Sequence, residues 1–150
     1  MNIYFACSIT GGRDFEPVYQ AIMAALLADG HSVPTAHLAG SDVLALEAVA
    51  NPGAIYERDI AWIGGCDTLV AEVSTPSHGV GYEVAYALSI GKPVLCLYQA
   101  GRPISKMLTG NSHPRIQVNS YSNSDTAIDI VRSFLLLVAR PIVNKITNSV

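Results

Sequence analysis

Short apolar runs alternate with helical patterns along this 150-residue chain, and this alternation limits the possible folds more than any other feature. The apolar runs, rich in β-branched and aromatic residues, lie at 2–7, 31–35, 67–73, 93–98 and 115–119. Helical spacing predicts helices at 18–29, 42–49, 52–65, 82–90, 105–109 and 124–138. Such alternation is typical of a parallel sheet with helices on both faces. The sequence therefore predicts an α/β fold: one three-layer αβα domain with a doubly wound, five-stranded parallel sheet, as in Rossmann and flavodoxin-like proteins.

The composition supports one domain over residues 1–140, followed by a C-terminal tail at 141–150. Half of the residues are hydrophobic and only 14% are charged, so the chain can bury a sizeable core. The net charge of −3 gives no electrostatic reason to expect binding to duplex nucleic acid or to an anionic membrane. The apolar stretch at 134–139 is too short to span a bilayer, and no secretory leader is recognisable. We therefore expect a cytoplasmic protein.

The cysteines and histidines do not form a metal-binding pattern. Three cysteines are an odd number, and none of them forms a CxxC pair. Buried free thiols are the simplest interpretation, since each cysteine lies in or beside an apolar run. The four histidines are scattered, whereas a zinc site needs clustered ligands. We expect neither a metal nor another cofactor.

The loop after the first predicted strand contains groups that suit a phosphate. Gly11 and Gly12 allow the backbone to approach a ligand closely, and Ser8 and Thr10 add hydroxyl donors. Arg13 adds a planar cation beside the start of a helix. The segment matches neither a P-loop nor a GxGxxG motif. Anion binding and a simple glycine turn are both compatible with this loop alone.

Two acidic residues are candidates for catalysis. Glu83 follows a glycine-containing loop and is expected near the start of a helix, where the helix dipole favours its charged form. Asp59 lies four residues after Ile55 and three before Trp62, so it shares their helix face. A carboxylic acid held protonated near Glu83 could act as a general acid. The alternatives are a glutamate that only complements the helix dipole and an aspartate paired with a neighbouring arginine.

Together these segments resemble the nucleoside 2-deoxyribosyltransferase family, and most closely its branch of 2'-deoxynucleoside 5'-monophosphate N-hydrolases. The resemblance extends from Asn2 to about Leu135. It rests on four segments: 3–13 (IYFACSITGGR), 57–59 (ERD) with Trp62, 67–73 (DTLVAEV) and 76–83 (PSHGVGYE). Thr10 departs from the pattern, because close relatives often carry arginine there. His37 belongs to a stretch that lacks the acidic residue of the family's Thr-Glu-His.

The resemblance implies a role for each matching position. Glu83 would be the nucleophile that attacks C1' of the sugar, Asp59 would assist base departure and water attack, and Tyr4 would lie beside the sugar. A further group would bind the phosphate or other parts of the substrate: Ser8, Ile9, Gly11, Gly12, Arg13, His37, Ser77 and Gly79. Ser105 would reach the site of the neighbouring subunit, so the family's homodimer is also implied.

The expected activity is hydrolysis of the N-glycosidic bond of a 2'-deoxynucleoside 5'-monophosphate by a retaining mechanism. Three alternatives remain open: a transferase that moves deoxyribose to a second base, a phosphoribohydrolase that acts on ribonucleotides, and a non-catalytic nucleotide-binding module. The phosphoribohydrolase would need a P-G-G-x-G-T-x-x-E loop, which the segment 77–83 fits poorly.

Overall fold

A computed structural model describes residues 1–41, 43 and 51–140 of the chain. The helix expected at 42–49 and the tail at 141–150 lie outside the described residues, apart from Val43. The strands are β1 (Ile3–Ala6), β2 (Thr68–Glu72), β3 (Val94–Gln99) and β4 (Ile116–Tyr121). The helices are α1 (Glu16–Ala28), α2 (Pro52–Gly65), α3 (His78–Ser89), α4 (Lys106–Thr109) and α5 (Ser124–Val138). A 3-10 turn spans Ala36–Ala39.

The four strands form one parallel sheet in the order β1-β2-β3-β4. One face packs against α1 and α5, through residues such as Phe5, Tyr19 and Phe134. The other face packs against α2 and α3, through residues such as Ile63 and Val84. Because alternate residues of a strand point to opposite faces, each buried strand supplies both cores. The predicted αβα fold class is confirmed.

The expected second strand at 31–35 was wrong. In place of a strand, Ser32 makes an isolated parallel bridge to Asn2. Pro34 has no N–H to extend the ladder, and the Thr35 hydroxyl accepts the Phe5 N–H at 3.0 Å, where a strand carbonyl would otherwise bond. The described sheet therefore has four strands and not five.

Two helices begin earlier than expected. Ser77 caps α3, and its hydroxyl accepts the Val80 N–H, so this helix starts at His78 and not near residue 82. Asn123 caps α5 with a reciprocal bond to Thr126, one residue before the expected cap. The Asn51-Pro52 start of α2 is confirmed, since the Asn51 side chain accepts two backbone N–H groups. Among the described residues, no helix combines the length and apolar character needed to cross a membrane.

The strand order indicates which edge of the sheet binds ligands. After β1 the chain forms the Ser32 bridge on one side, and it returns to form β2 on the other side of β1. The carboxyl ends of β1 and β2 therefore flank the point where the connection reverses, which is where open α/β sheets bind ligands. The loops that follow these strands, at 7–15 and 73–77, contain or lead to most of the predicted site residues.

Candidate active site

Tyr4 and Glu83 meet on one face of the sheet. Tyr4 is fully buried in β1 on the face covered by α2 and α3. Val80 and Ala87 lie three residues before and four after Glu83, so all three share the core-facing side of α3. The Tyr4 hydroxyl donates a hydrogen bond to Glu83 Oε1 at 2.7 Å. A strand residue therefore fixes the orientation of the predicted nucleophile.

Asp59 approaches this pair from α2. Its charge raises the pKa of both Glu83 and Tyr4, which places the three side chains in one electrostatic environment. Arg58 Nε donates to Asp59 Oδ1 at 2.8 Å, and the Arg58 guanidinium lies 4.8 Å from the centre of the Trp62 ring. The arginine pairing that the sequence left open is therefore present, while the charge of Asp59 acts on Glu83.

Burial dominates the ionisation of Glu83. Desolvation raises its pKa from 4.5 to about 7, the Tyr4 hydrogen bond lowers it, Asp59 raises it and Arg58 lowers it. The expected charged form is not the outcome, because burial outweighs the helix dipole for this half-buried residue in the second turn of α3. The carboxyl group therefore titrates near neutral pH, where catalytic acids and bases are often found.

The glycine loop rests on the loop that follows β2. A Cβ atom at Gly11 would lie 2.5 Å from the Pro76 carbonyl oxygen and 2.8 Å from Ser8 Oγ, so only glycine fits there. Gly12 has φ +123°, a backbone conformation that favours glycine. Ser8 is fully buried, and among the described residues its hydroxyl has no hydrogen-bond partner. A buried hydroxyl without a partner beside a glycine loop is available to a ligand.

The Arg13 guanidinium donates hydrogen bonds to acceptors within the protein. Its Nη1 donates to the carbonyl of Leu38 at 2.9 Å, and Nη2 donates to those of Ala39 and Gly40 at 3.2 and 2.7 Å. Its Nε donates to Glu16 at 3.1 Å. The guanidinium therefore holds the end of the 3-10 turn against the glycine loop. Direct phosphate contact by Arg13 stays a prediction. It requires one of the Arg13 N–H groups to leave its present acceptor and bind the phosphate.

Three other predicted residues surround these groups. His37 is exposed, and its ring packs edge-on against Trp62 with a centroid distance of 5.9 Å, which brings it to the Arg58–Asp59 side of the site. Ile9 packs partly against the core on the α1 face. Gly79 lies exposed in the first turn of α3.

Ser77 and Ser105 line a separate groove of about 730 Å³ beside α3. Ser77 caps α3, and Ser105 is an exposed residue whose hydroxyl accepts the Met107 N–H at the start of α4. Apolar side chains such as Val84 and Leu108 supply most of the wall, whereas Glu83, Asp59 and Tyr4 do not contribute to it. Ser105 therefore lines a groove to which the two acids of its own chain do not contribute.

Of two charged residues around the site, sequence reasoning left one open as a partner of Asp59 and missed the other. Arg58 stands next to Asp59 in the sequence and forms the ion pair that was one of the alternatives. Glu72 is a fully buried acid at the end of β2, and its place in an otherwise uncharged buried strand could have drawn attention to it.

Comparison with known proteins identifies the family of this chain. The family model described as nucleoside 2-deoxyribosyltransferase matches residues 3–128. A 5-hydroxymethyl-dUMP N-hydrolase of Mus musculus is 39% identical over 138 residues, covering 89% of this chain and 79% of the relative. A Methanococcoides burtonii protein with the provisional name 2'-deoxynucleoside 5'-phosphate N-hydrolase 1 is 41% identical over 118 residues, covering 79% of this chain and 97% of the relative.

A solved structure shares the fold at low sequence identity. The CMP N-glycosidase of Clostridium botulinum superposes with a TM-score of 0.69 at 15% identity, covering 89% of this chain and 99% of that one. It therefore supports the fold, while the family follows from the sequence comparisons. Since the family model covers most of the chain and the relatives match along nearly the same residues, the family expected from the sequence is confirmed: the protein belongs to the nucleoside 2-deoxyribosyltransferase family.

Proposed function

We propose that the protein hydrolyses the N-glycosidic bond of 2'-deoxynucleoside 5'-monophosphates and releases the free base and 2-deoxyribose 5-phosphate. The observation that carries the proposal is the 2.7 Å hydrogen bond from Tyr4 to Glu83, with Asp59 in the same electrostatic environment. Two carboxyl groups acting on one sugar carbon are the usual requirement of glycoside hydrolysis. The names of the two relatives, both N-hydrolases, support the same activity.

The two acids divide the reaction between them. The pair reacts in the form in which Glu83 is ionised and Asp59 carries a proton. Glu83 attacks C1' while the bond from C1' to the base nitrogen breaks, and Asp59 gives its proton to the departing base or its hydrogen-bonded surroundings. Asp59 then takes a proton from water, which attacks C1' and frees Glu83. A sugar without a 2'-hydroxyl reaches the oxocarbenium-like transition state more easily, because no electron-withdrawing oxygen stands beside the developing charge.

The phosphate acts as a handle in this proposal. The glycine loop follows β1 at the carboxyl edge of the sheet, and its backbone N–H groups together with the buried, unpartnered Ser8 hydroxyl would hold the phosphate. Binding energy from the phosphate holds C1' against Glu83, so that part of the substrate away from the reacting bond contributes to catalysis.

A base-release assay tests the proposal. The protein is incubated with the four common deoxynucleoside monophosphates, their unphosphorylated nucleosides and AMP, and free base is measured. We expect release from at least one deoxynucleotide and far less from the nucleosides and AMP. Glu83→Gln should lower turnover by roughly a thousandfold or more, as removal of a covalent nucleophile usually does. Exposed Glu57 on α2 provides the matched control Glu57→Gln. Turnover of Glu83→Gln within tenfold of wild type would remove Glu83 from this role.

The matching family description favours one alternative activity, transfer of deoxyribose to a second base. Adding a free base to the same assay distinguishes the two reactions, because a transferase would form a new nucleotide and a hydrolase would not.

A homodimer completes the proposal, with Ser105 of each copy reaching the site of the other. The groove of about 730 Å³ beside α3 and the exposed Met107 provide an apolar surface for this contact. Analytical ultracentrifugation tests the dimer directly. A cytoplasmic location belongs to the same proposal, and the three cysteines, all free and buried, are compatible with a reducing compartment.

A further inference from the structure

Glu72 is a buried acid that the proposed reaction does not use. It ends β2, is fully inaccessible to solvent, and burial raises the pKa of its carboxyl group. Its Oε1 accepts hydrogen bonds from the Ser74 N–H at 3.3 Å, from the Ser74 hydroxyl and from the Tyr121 hydroxyl at 2.9 Å. An acid is costly to bury, so a carboxyl group with three donors on one oxygen indicates a specific task.

Ser74 connects this acid to the neighbouring strands. Its hydroxyl oxygen accepts the Gln99 N–H at 2.7 Å, and Gln99 is the last residue of β3. Tyr121 is the last residue of β4. Glu72 and Ser74 therefore join the carboxyl ends of three adjacent strands at the edge of the sheet where the candidate site lies.

The residues that follow Ser74 support the glycine loop. The Pro76 carbonyl oxygen lies where it would clash with any Cβ atom at Gly11, and the Thr75 methyl group lies 3.7 Å from the position of a Cβ atom at Gly12. A shift of the main chain at 75–76 would therefore move the glycine loop, or open a gap beneath it. By contrast, α3 is held against the sheet by its own apolar residues, including Val80 and Val84.

Additional polar atoms face this region from α1. Burial, followed by the charge of Glu72, raises the pKa of the Tyr19 phenol on α1. Among the described residues, Tyr19 Oη and Glu72 Oε2 have no hydrogen-bond partner. Glu72 thus lies among the ends of β3 and β4, and it binds Ser74, the residue that precedes the loop in contact with the glycines.

We propose that Glu72, acting through Ser74, is a positioning residue. It fixes the position of the glycine loop against residues 75–76 and thereby sets the affinity for the 5'-phosphate of the substrate. The proposal rests on the proposed function, because it assigns the phosphate to the glycine loop. It predicts that breaking the link weakens substrate binding and leaves the chemical step at C1' nearly unchanged.

Ser74→Ala is the first test, since it removes one hydroxyl and leaves the acid in place. We expect KM for a deoxynucleoside monophosphate to rise about tenfold, as loss of one buried hydrogen-bond link allows, with kcat changed less than threefold. The dissociation constant of 2-deoxyribose 5-phosphate, measured by calorimetry, should rise by the same factor. The matched control is Thr68→Val, which removes a buried bond to the Pro93 carbonyl at the opposite end of β2 and should leave KM unchanged.

Glu72→Gln and Glu72→Leu complete the test. The glutamine amide oxygen can accept the same donors and should keep KM within about threefold of wild type, whereas leucine should raise it at least as much as Ser74→Ala does. If Glu72→Leu does not fold, the KM and the dissociation constant of Ser74→Ala decide whether the proposal holds. A purely structural role would lower the amount of active protein, and hence kcat, without changing KM or the affinity for 2-deoxyribose 5-phosphate; that result overturns the proposal.

The outcome for wild type separates this proposal from the proposed function. If wild type binds 2-deoxyribose 5-phosphate but releases no base, the proposed function fails, and the binding comparison between wild type and Ser74→Ala still decides the role of Glu72. If wild type does not bind 2-deoxyribose 5-phosphate, the positioning proposal is overturned as well.

Discussion

The half-buried Glu83 should make the protein less stable as the pH rises, and Glu83→Gln should remove this effect. Desolvation raises the pKa of Glu83 from 4.5 to about 7. Between these two values the folded state keeps a proton that the unfolded state has released, so the free energy of unfolding falls with increasing pH. At about 1.4 kcal/mol per pH unit, the full difference is about 3 kcal/mol. The stability contribution is complete below pH 4.5 and is lost as the pH rises through about 7.

Glutamine has nearly the shape of the protonated acid but cannot ionise. At pH 5 the variant and wild type should therefore have similar stability, and at pH 8 the variant should be more stable by about 3 kcal/mol, or roughly 6–12 °C in Tm. Urea unfolding at several pH values between 5 and 8 measures the difference directly. The exposed Glu57→Gln serves as the control and should show no such trend. A difference between Glu83→Gln and wild type that is constant from pH 5 to pH 8 would refute this account of Glu83.

Two further substitutions test the hydroxyl beside Glu83 and the arginine that holds the 3-10 turn. Tyr4→Phe removes the hydrogen bond that lowers the pKa of Glu83. The acidic limb of the pH–rate profile should therefore move from about pH 7 to a pH about one to two higher, and kcat at pH 7 should fall. An acidic limb at the wild-type pH would contradict this role of Tyr4. Arg13→Lys keeps the charge but loses the planar fork that binds the carbonyls of residues 38–40, and it should lower the free energy of unfolding by about 1–3 kcal/mol in urea titrations. Arg132→Lys, which alters an exposed ion pair with Asp29, is its control and should change stability by less than about 1 kcal/mol.

The fold was predictable where the signals were local and agreed with one another. Asn51-Pro52 marks the start of α2 because an asparagine cap and a first-turn proline both act within a few residues. The strand expected at 31–35 failed because Pro34 and the Thr35 side chain change the hydrogen bonding to β1, and periodicity does not register this. The early start of α3 was missed because glycines at 79 and 81 conceal a helix that Ser77 caps.

The candidate site was only partly predictable for a different reason. Sequence reasoning identified Glu83, Asp59 and Tyr4 as neighbours; the structure shows the Tyr4–Glu83 hydrogen bond, and the charge of Asp59 acts on both residues. It could not anticipate that burial would outweigh the helix dipole at Glu83, since desolvation depends on the packing of whole helices. It also could not show that Arg13 binds the 3-10 turn, because those bonds are made to main-chain carbonyls that carry no sequence signal.

The contacts that replace the missing strand also affect how the protein behaves in a crowded solution. An open sheet has two outer strands, whose unpaired backbone groups can recruit another molecule and begin aggregation. On the β1 side, the Ser32 bridge and the Thr35 hydroxyl already occupy outward-facing amides. On the β4 side, the exposed residues include Gln117, Asn119 and Ser120, which are polar. In the described part of the chain, the apolar outer strand β1 is therefore partly covered along its free edge, and the other outer strand, β4, carries polar side chains that do not favour pairing with a neighbouring chain.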